Sequence, residues 1–300
     1  MNEVRIISSG EIDTVQWNGL VDRSVNGLIY AYSWYLDRMC ERWVGMVYGD
    51  YEAVMPLPTN SKLGLKYAYQ PAFVQQLGVI CSNNTAADKY LNAFMPFLKK
   101  HYSYIDIKLN FLHTPHPRYN NYILSLDTTF NQIQSGFNRS FKEAFKQSKK
   151  TPGKLYFSND LKEALAFNSA LYDFRSVKLK EGIYDRFGEL CTYLQKNQQC
   201  LIPTWMIDGK VVAQAIVLKD RKRYYLMTSA CLEEGRALRA NHALMYYLLE
   251  ALSGQEMFFD FEGSNIPGVA KFYESMGGQL ETYPPLQCNF LPKWLRWIKQ

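Results

Sequence analysis

Asp260, Glu262 and Ser264 stand together in the stretch MFFDFEGSNIPGVAKFYESMGG, at a spacing that suits proton handling. FFDF is an apolar run of strand type, and its carboxyl end delivers these side chains to a sheet edge, where ligands gather in open α/β folds. A carboxylate in that place can accept a proton from an attacking nucleophile or hold the nucleophile in line. One of the two acids is expected to act in this way, and the other to pair with a cation of the connector described below. Gly263 permits a tight turn, Asn265 is expected to cap the next helix, and Pro267 suits its first turn. Ile266, Val269, Ala270, Tyr273 and Met276 would form the buried face of that helix, with Gly277 and Gly278 stopping it.

Other chemistries find little support. The chain has no G-x-S-x-G, Walker loop or G-x-G-x-x-G, which argues against a hydrolase, a nucleotidase and a dinucleotide enzyme. His113 and His116 lie in HTPHPR, a loop held by its prolines, with no third ligand at a metal-like spacing. His101 ends a helix and His242 begins one, so all four histidines read as structural and no metal is expected. The six cysteines are far apart without a C-x-x-C pair, and read mostly as buried thiols.

The elements that must position these residues occur twice. In the first half, Ser33 is expected to cap WYLDRMCERW, and WVGMVYGDYEAVMPL reads as two strands joined at Gly49 and Asp50. LGLKYAY continues the sheet, a helix spans 85–100, and SYIDIKL is a buried strand. In the second half a helix over 183–197 leads into LIPTWMI, a turn at Asp208 and Gly209, KVVAQAIVL, a basic turn DRKR, and YYLMTSA. A helix over 236–252, the strand MFFDF and a helix over 267–276 follow. Trp43, Gly49 and Tyr67 recur as Trp205, Gly209 and Tyr224 at a nearly constant offset, which indicates a tandem duplication. The expected domains are 1–126 and 153–300, with a helical connector over 127–152.

The connector carries NRSFKEAFKQSKK. On a helical wheel Arg139, Lys142, Lys146, Lys149 and Lys150 share one face, and Phe137, Phe141, Ala144 and Phe145 the opposite one. That basic stripe is either a solvated face or an anion-binding wall, with Arg139, Lys142 and Lys146 as its candidates.

Composition sets wider bounds. With 300 residues, 47% of them hydrophobic, the chain can bury one large core or two ordinary ones. A net charge of +6 favours anionic partners, though only modestly. The N-terminus has no apolar signal core and no run approaches the roughly 18 apolar residues of a spanning helix, so a cytoplasmic protein is expected. The C-terminal FLPKWLRWIKQ interleaves tryptophans with cations, and is either a docked terminal helix or a peripheral membrane contact.

Strand, Asp-Gly turn, strand, basic turn, strand, helix, strand, helix is the order of GNAT-type acyltransferases, and DFEGS followed by an apolar helix ending at Gly-Gly resembles the C-terminal signature of Fem-type proteins. The resemblance is close over the second domain, reaches the first through the repeat, and is loose over the connector. It implies an α/β (α+β) fold of two tandem GNAT-like domains, each a mixed, largely antiparallel sheet flanked by helices. It also implies transfer of an activated acyl or aminoacyl group to an amine, with acyl-CoA or aminoacyl-tRNA as co-substrate and no permanently bound cofactor. The acceptor would be a small-molecule or peptidoglycan-precursor amine, tRNA a partner on the aminoacyl route, and DNA is not expected. The donor would lie against Thr228, Ser229, Arg236, Arg239, Asn241 and Tyr273, where a helix N-terminus offers unpaired N–H groups to phosphate. Arg239 and Asn241 fall where such enzymes usually have glycines, which shifts the donor away from coenzyme A. The acceptor would meet Tyr67, Tyr69, Gln70, Gln75 and Gln76 between the domains. Two rival readings remain: a non-catalytic GNAT-like protein that binds RNA or another anionic ligand, and an ordinary acyl-CoA N-acetyltransferase.

Overall fold

The computed structural model describes residues 3–114, 119–173, 182–263, 265–292 and 294. The helix expected within FLPKWLRWIKQ, together with Ser264 and His116, lies outside the described residues. The chain divides into two compact units, Met1–Tyr119 with Thr282–Gln300, and Asn120–Glu281. The first unit therefore stops short of the expected boundary at 126 and takes up the last residues of the chain.

In the first unit β1 (Val4–Ser8), α1 (Thr14–Arg23) and α2 (Ser33–Met39) precede the hairpin of β2 (Trp43–Tyr48) and β3 (Ala53–Lys62). β4 (Leu65–Tyr69), β5 (Ile80–Cys81), α3 (Ala87–His101) and β6 (Tyr104–Lys108) follow. Alternation of buried and exposed positions in β6, where Ile105 and Ile107 are sealed and Asp106 is open, is what a half-covered strand requires. Ser33 does not cap α2, because Tyr32 takes that place and the Ser33 hydroxyl accepts from Asn18 Nδ2 (3.0 Å). Trp17 anchors the core, fully buried, with its indole N–H on the Ala31 carbonyl (2.7 Å) and its ring edge-on to Trp43.

The second unit begins with β7 (Tyr119–Ser125), α4 (Phe130–Ser135) and α5 (Arg139–Ser148). β8 (Lys154–Phe157), α6 (Leu161–Asp173), α7 (Ile183–Lys196), β9 (Cys200–Leu201), β10 (Pro203–Ile207), β11 (Lys210–Lys219) and β12 (Arg223–Cys231) come next. α8 (Glu233–Ala237), α9 (Ala240–Leu252), β13 (Phe258–Asp260), α10 (Pro267–Ser275) and β14 (Gln279–Tyr283) complete it, and β15 (Pro285–Asn289) returns to the first sheet. The first sheet runs β1-β2-β3-β4-β6-β15 with β5 beside β3, and the second β14-β7-β13-β12-β11-β10-β8 with β9 beside β11. The pairs β4 with β6 and β12 with β13 are parallel, at the corresponding place of the repeat.

The amphipathic reading of the connector describes α5 well. Phe141 and Phe145 are buried, Lys142 and Lys146 are exposed, and Phe145 stacks on Tyr246 of α9 with centroids 3.6 Å apart. Each such ring contributes roughly 1.5–3 kcal/mol by leaving water. The core beneath them joins Trp205, Leu244, Phe259, Phe261 and Met276.

Candidate active site in the second unit

β12 is nine residues long, but its parallel register with β13 covers only Arg223, Tyr224 and Tyr225, opposite Phe258, Phe259 and Asp260. Beyond Tyr225 the two strands part, because β13 ends at Asp260 and the chain turns away through left-handed backbone at Glu262 (φ 61°) and Gly263 (φ 50°). Only glycine fits at 263, where a Cβ would stand 2.2 Å from the Asn120 carbonyl. A register shift opposite Ile216 and Val217 loosens β12 at the same level. Beyond Tyr225, β12 thus has no partner in β13.

α8 and α9 rise from the end of β12. The single helix expected over 236–252 is two, broken at Arg239, whose left-handed backbone (φ 59°) precedes Ala240. The Asn241 amide oxygen takes the Ser229 hydroxyl (3.1 Å), tying the strand to the helix N-terminus. Arg239 Nε donates to Gln147 of α5 (3.1 Å), and the Arg236 side chain is exposed. Thr228 Oγ1 is buried without a hydrogen-bond partner. The structure therefore brings Ser229 and Asn241 together, with Arg236 and Arg239 along the same turn. Tyr273 stands with a different set of rings, stacked on Phe261 (4.9 Å) and tilted to Tyr122 (6.2 Å).

The carboxylates have different surroundings. Asp260 is 1% exposed, and its Oδ2 accepts from Arg223 Nη1 (2.8 Å) and Asn121 Nδ2 (3.1 Å). Arg223 also grips Glu281 through both terminal nitrogens (2.9 and 3.0 Å). Burial pulls the Arg223 pKa down, but Glu281 and Asp260 more than offset it and hold the guanidinium charged. Burial pushes the Asp260 carboxyl up against the pull of Arg223. The partner of Asp260 is thus a cation of β12 and not of the connector. Its Oδ1 accepts the backbone N–H of Glu262 (2.9 Å), and Glu262 itself is half-buried.

Arg223, Asn121 and Glu281 were not singled out by sequence reading. Arg223 was absorbed into a basic turn, and only its alternation with the buried Tyr225 on β12 signals an inward position. Asn265 does not cap α10: Ile266 holds the N-cap position, and Asn265 Oδ1 takes the Asn120 N–H (3.0 Å). Ile266 is correspondingly exposed, against the expectation of a buried position.

His242, one turn from the candidate phosphate position, lies between Phe141 (5.4 Å) and Phe272 (5.0 Å). Burial, helped by the charge of Arg239, pushes its pKa down to about 4, which leaves it neutral near pH 7. The Cys231 thiol is pushed up to about 11 by burial against the pull of Arg236, so it is not a thiolate nucleophile.

In the first unit, Tyr67 and Tyr69 are neighbours on one face of β4, with rings 6.1 Å apart. Gln70 is a clamp, donating to the Val74 carbonyl (2.6 Å) and accepting from the Lys108 N–H (2.8 Å). Gln76 donates to Gln75 (2.7 Å), and its own oxygen is buried without a hydrogen-bond partner. His113 is held between Asp88 (2.7 Å) and the Val79 N–H (3.3 Å), and no metal-binding cluster occurs among the described residues. No helix among them is long and apolar enough to cross a membrane.

Residues 149–268 match the family model of the acetyltransferase (GNAT) domain. Among solved structures, the crystal structure of FemX superposes with a TM-score of 0.72 at 13% identity, over 99% of this chain and 100% of that one. A tandem GNAT protein from the clavulanic acid biosynthesis pathway gives 0.51 at 13% identity, over 97% and 100%. The structure of L-PGS from Bacillus licheniformis gives 0.50 at 12%, over 95% and 94%. No curated protein sequence matches. Residues 149–268 are thus a GNAT-type acetyltransferase domain, and the chain as a whole has the tandem, Fem-like fold.

Proposed function

We propose that the protein transfers an aminoacyl group, activated as an ester, to the amine of a small acceptor. The observation that carries this is the parting of β12 from β13 beside the N-terminus of α9. An activated acyl group laid along that edge has backbone donors for its carbonyl, and the phosphates behind it meet Arg236, Arg239 and the α9 N-terminus. Ser229 and Asn241 hold the strand and the helix in register for it. GNAT domains take acyl-CoA as co-substrate. Here Arg239 and Asn241 stand where close backbone approach to pyrophosphate calls for glycine, which favours a donor gripped by side-chain cations. The likeness of the fold to FemX supports this reading, because the Fem-type resemblance of the sequence implies an aminoacyl donor.

Aminolysis of an activated ester needs orientation more than a strong base. In this reading Glu262 orients the amine and takes its proton, while Asp260 positions Glu262 through its backbone N–H. Tyr67, Tyr69, Gln70, Gln75 and Gln76 are the candidate acceptor contacts within the first unit, where Gln76 Oε1 is buried without a hydrogen-bond partner among the described residues. The basic face of α5, with Arg139, Lys142 and Lys146, attracts a polyanionic donor. Single-turnover assays with panels of charged tRNA and of acyl-CoA test the proposal. Transfer from charged tRNA that falls in Glu262→Gln, with donor binding kept, supports it. Transfer from acyl-CoA alone, or neither transfer nor binding from any donor, refutes it.

A further inference from the structure

The first unit carries a cavity of about 210 Å³ that the acyl-transfer reading does not use, lined by Ile6, Arg42, Val44, Thr59, Asn60, Ser61, Lys66, His101 and Tyr102. Its basic residues come from separate elements. Arg42 precedes β2, Lys66 lies on β4 directly opposite Ser61 of β3, and His101 is the last residue of α3. Their backbones are fixed, since the Arg42 carbonyl accepts from the Thr59 N–H (3.0 Å) and the Lys66 carbonyl from the Ser103 N–H (2.8 Å). The floor is Tyr102, 6% exposed, which hydrogen-bonds Thr59.

Among the described residues, Arg42, Lys66 and His101 have no side-chain ion pair or hydrogen bond. The carboxylate of Glu41, next in sequence to Arg42, is taken up by Asn60 Nδ2 (3.2 Å) instead. Cations gathered in one concavity repel one another, and a bound anion relieves that repulsion. The hydroxyl of Ser61 adds a neutral hydrogen-bonding group at the wall, which suits a phosphate oxygen, while the Thr59 hydroxyl donates to the Tyr67 carbonyl (3.3 Å). The volume is below the roughly 300–1,000 Å³ of sites that enclose a whole small molecule, and so suits a charged head group.

We propose that this cavity binds the phosphate or diphosphate group of a small soluble ligand, through Arg42 and Lys66, with His101 and Ser61 completing the cradle. The site stands on its own elements and does not depend on the identity of the acyl donor.

Isothermal titration of the full chain with inorganic phosphate and pyrophosphate, beside vesicles containing phosphatidic acid, tests it. The expected result is saturable pyrophosphate binding that weakens at least tenfold in Arg42→Gln/Lys66→Gln. Lys196→Ala, an exposed cation of α7, should leave the affinity within twofold. Thermal unfolding of both variants confirms that they fold, and Lys66→Gln alone, with an expected loss of about threefold, serves if the double variant does not. No saturable binding, equal weakening by Lys196→Ala, or binding of the vesicles alone overturns the proposal.

Discussion

The backbone N–H of Glu262 donates to the carboxylate of Asp260 at 2.9 Å, so that one acid fixes the chain direction at the other. Residues two apart on a strand share a face, but β13 ends at Asp260 and Glu262 has left-handed backbone, which separates their directions. Asp260 is sealed against Arg223, while Glu262 is left half-buried at the point where β12 and β13 part.

A non-glycine residue at φ 61° stores strain of order 1 kcal/mol or more. Glu262→Gly is expected to raise stability by roughly 0.5–1 kcal/mol in urea denaturation while lowering acyl transfer. A loss of stability would show that the Glu262 side chain serves the fold.

Gly263→Ala should act in the opposite sense. A Cβ 2.2 Å from the Asn120 carbonyl forces the β7 backbone to move, and the φ of 50° adds strain. The expected cost is on the order of 3 kcal/mol, read as a fall in the urea midpoint.

Removing Arg223 leaves Asp260 and Glu281 buried together without their cation. Arg223→Ala should cost about 3–5 kcal/mol by the same measurement, and Asp260→Asn less, because Arg223 keeps Glu281 and the single amide oxygen still accepts on one side, from Arg223 and Asn121 or from the Glu262 N–H.

His242 predicts a pH dependence. Its pKa is near 4 in the folded chain and about 6.5 when unfolded, so the unfolded state binds the extra proton first. The stability it contributes is present above pH 6.5 and is lost as pH falls towards 4. Thermal unfolding across that window should fall less steeply in His242→Gln than in the parent chain.

The two faces of α5 should separate stability from binding. Phe145→Ala removes the ring stacked on Tyr246 and is expected to cost about 3–5 kcal/mol. Lys142→Ala with Lys146→Ala should change stability by less than about 0.5 kcal/mol, yet weaken tRNA binding and flatten its salt dependence.

Local pattern alone determined a good deal. Alternation and turn residues defined the strands around Gly49 and Gly209, the repeat defined the duplicated sheet, and helical period separated the phenylalanine and lysine faces of α5, because each of these is set by neighbours within a few residues. The carboxyl end of β13 was likewise recognisable as a place where polar side chains collect. Tertiary structure decided the rest. Asp260 and Arg223 lie 37 residues apart, and Arg223 and Glu281 lie 58 apart, so which acid is neutralised depended on strand order and register. The release of Asn265 from its expected cap and the return of β15 to the first sheet have the same cause. Each is fixed by a distant backbone group that must be hydrogen-bonded or cleared, and such groups meet only when the sheet closes.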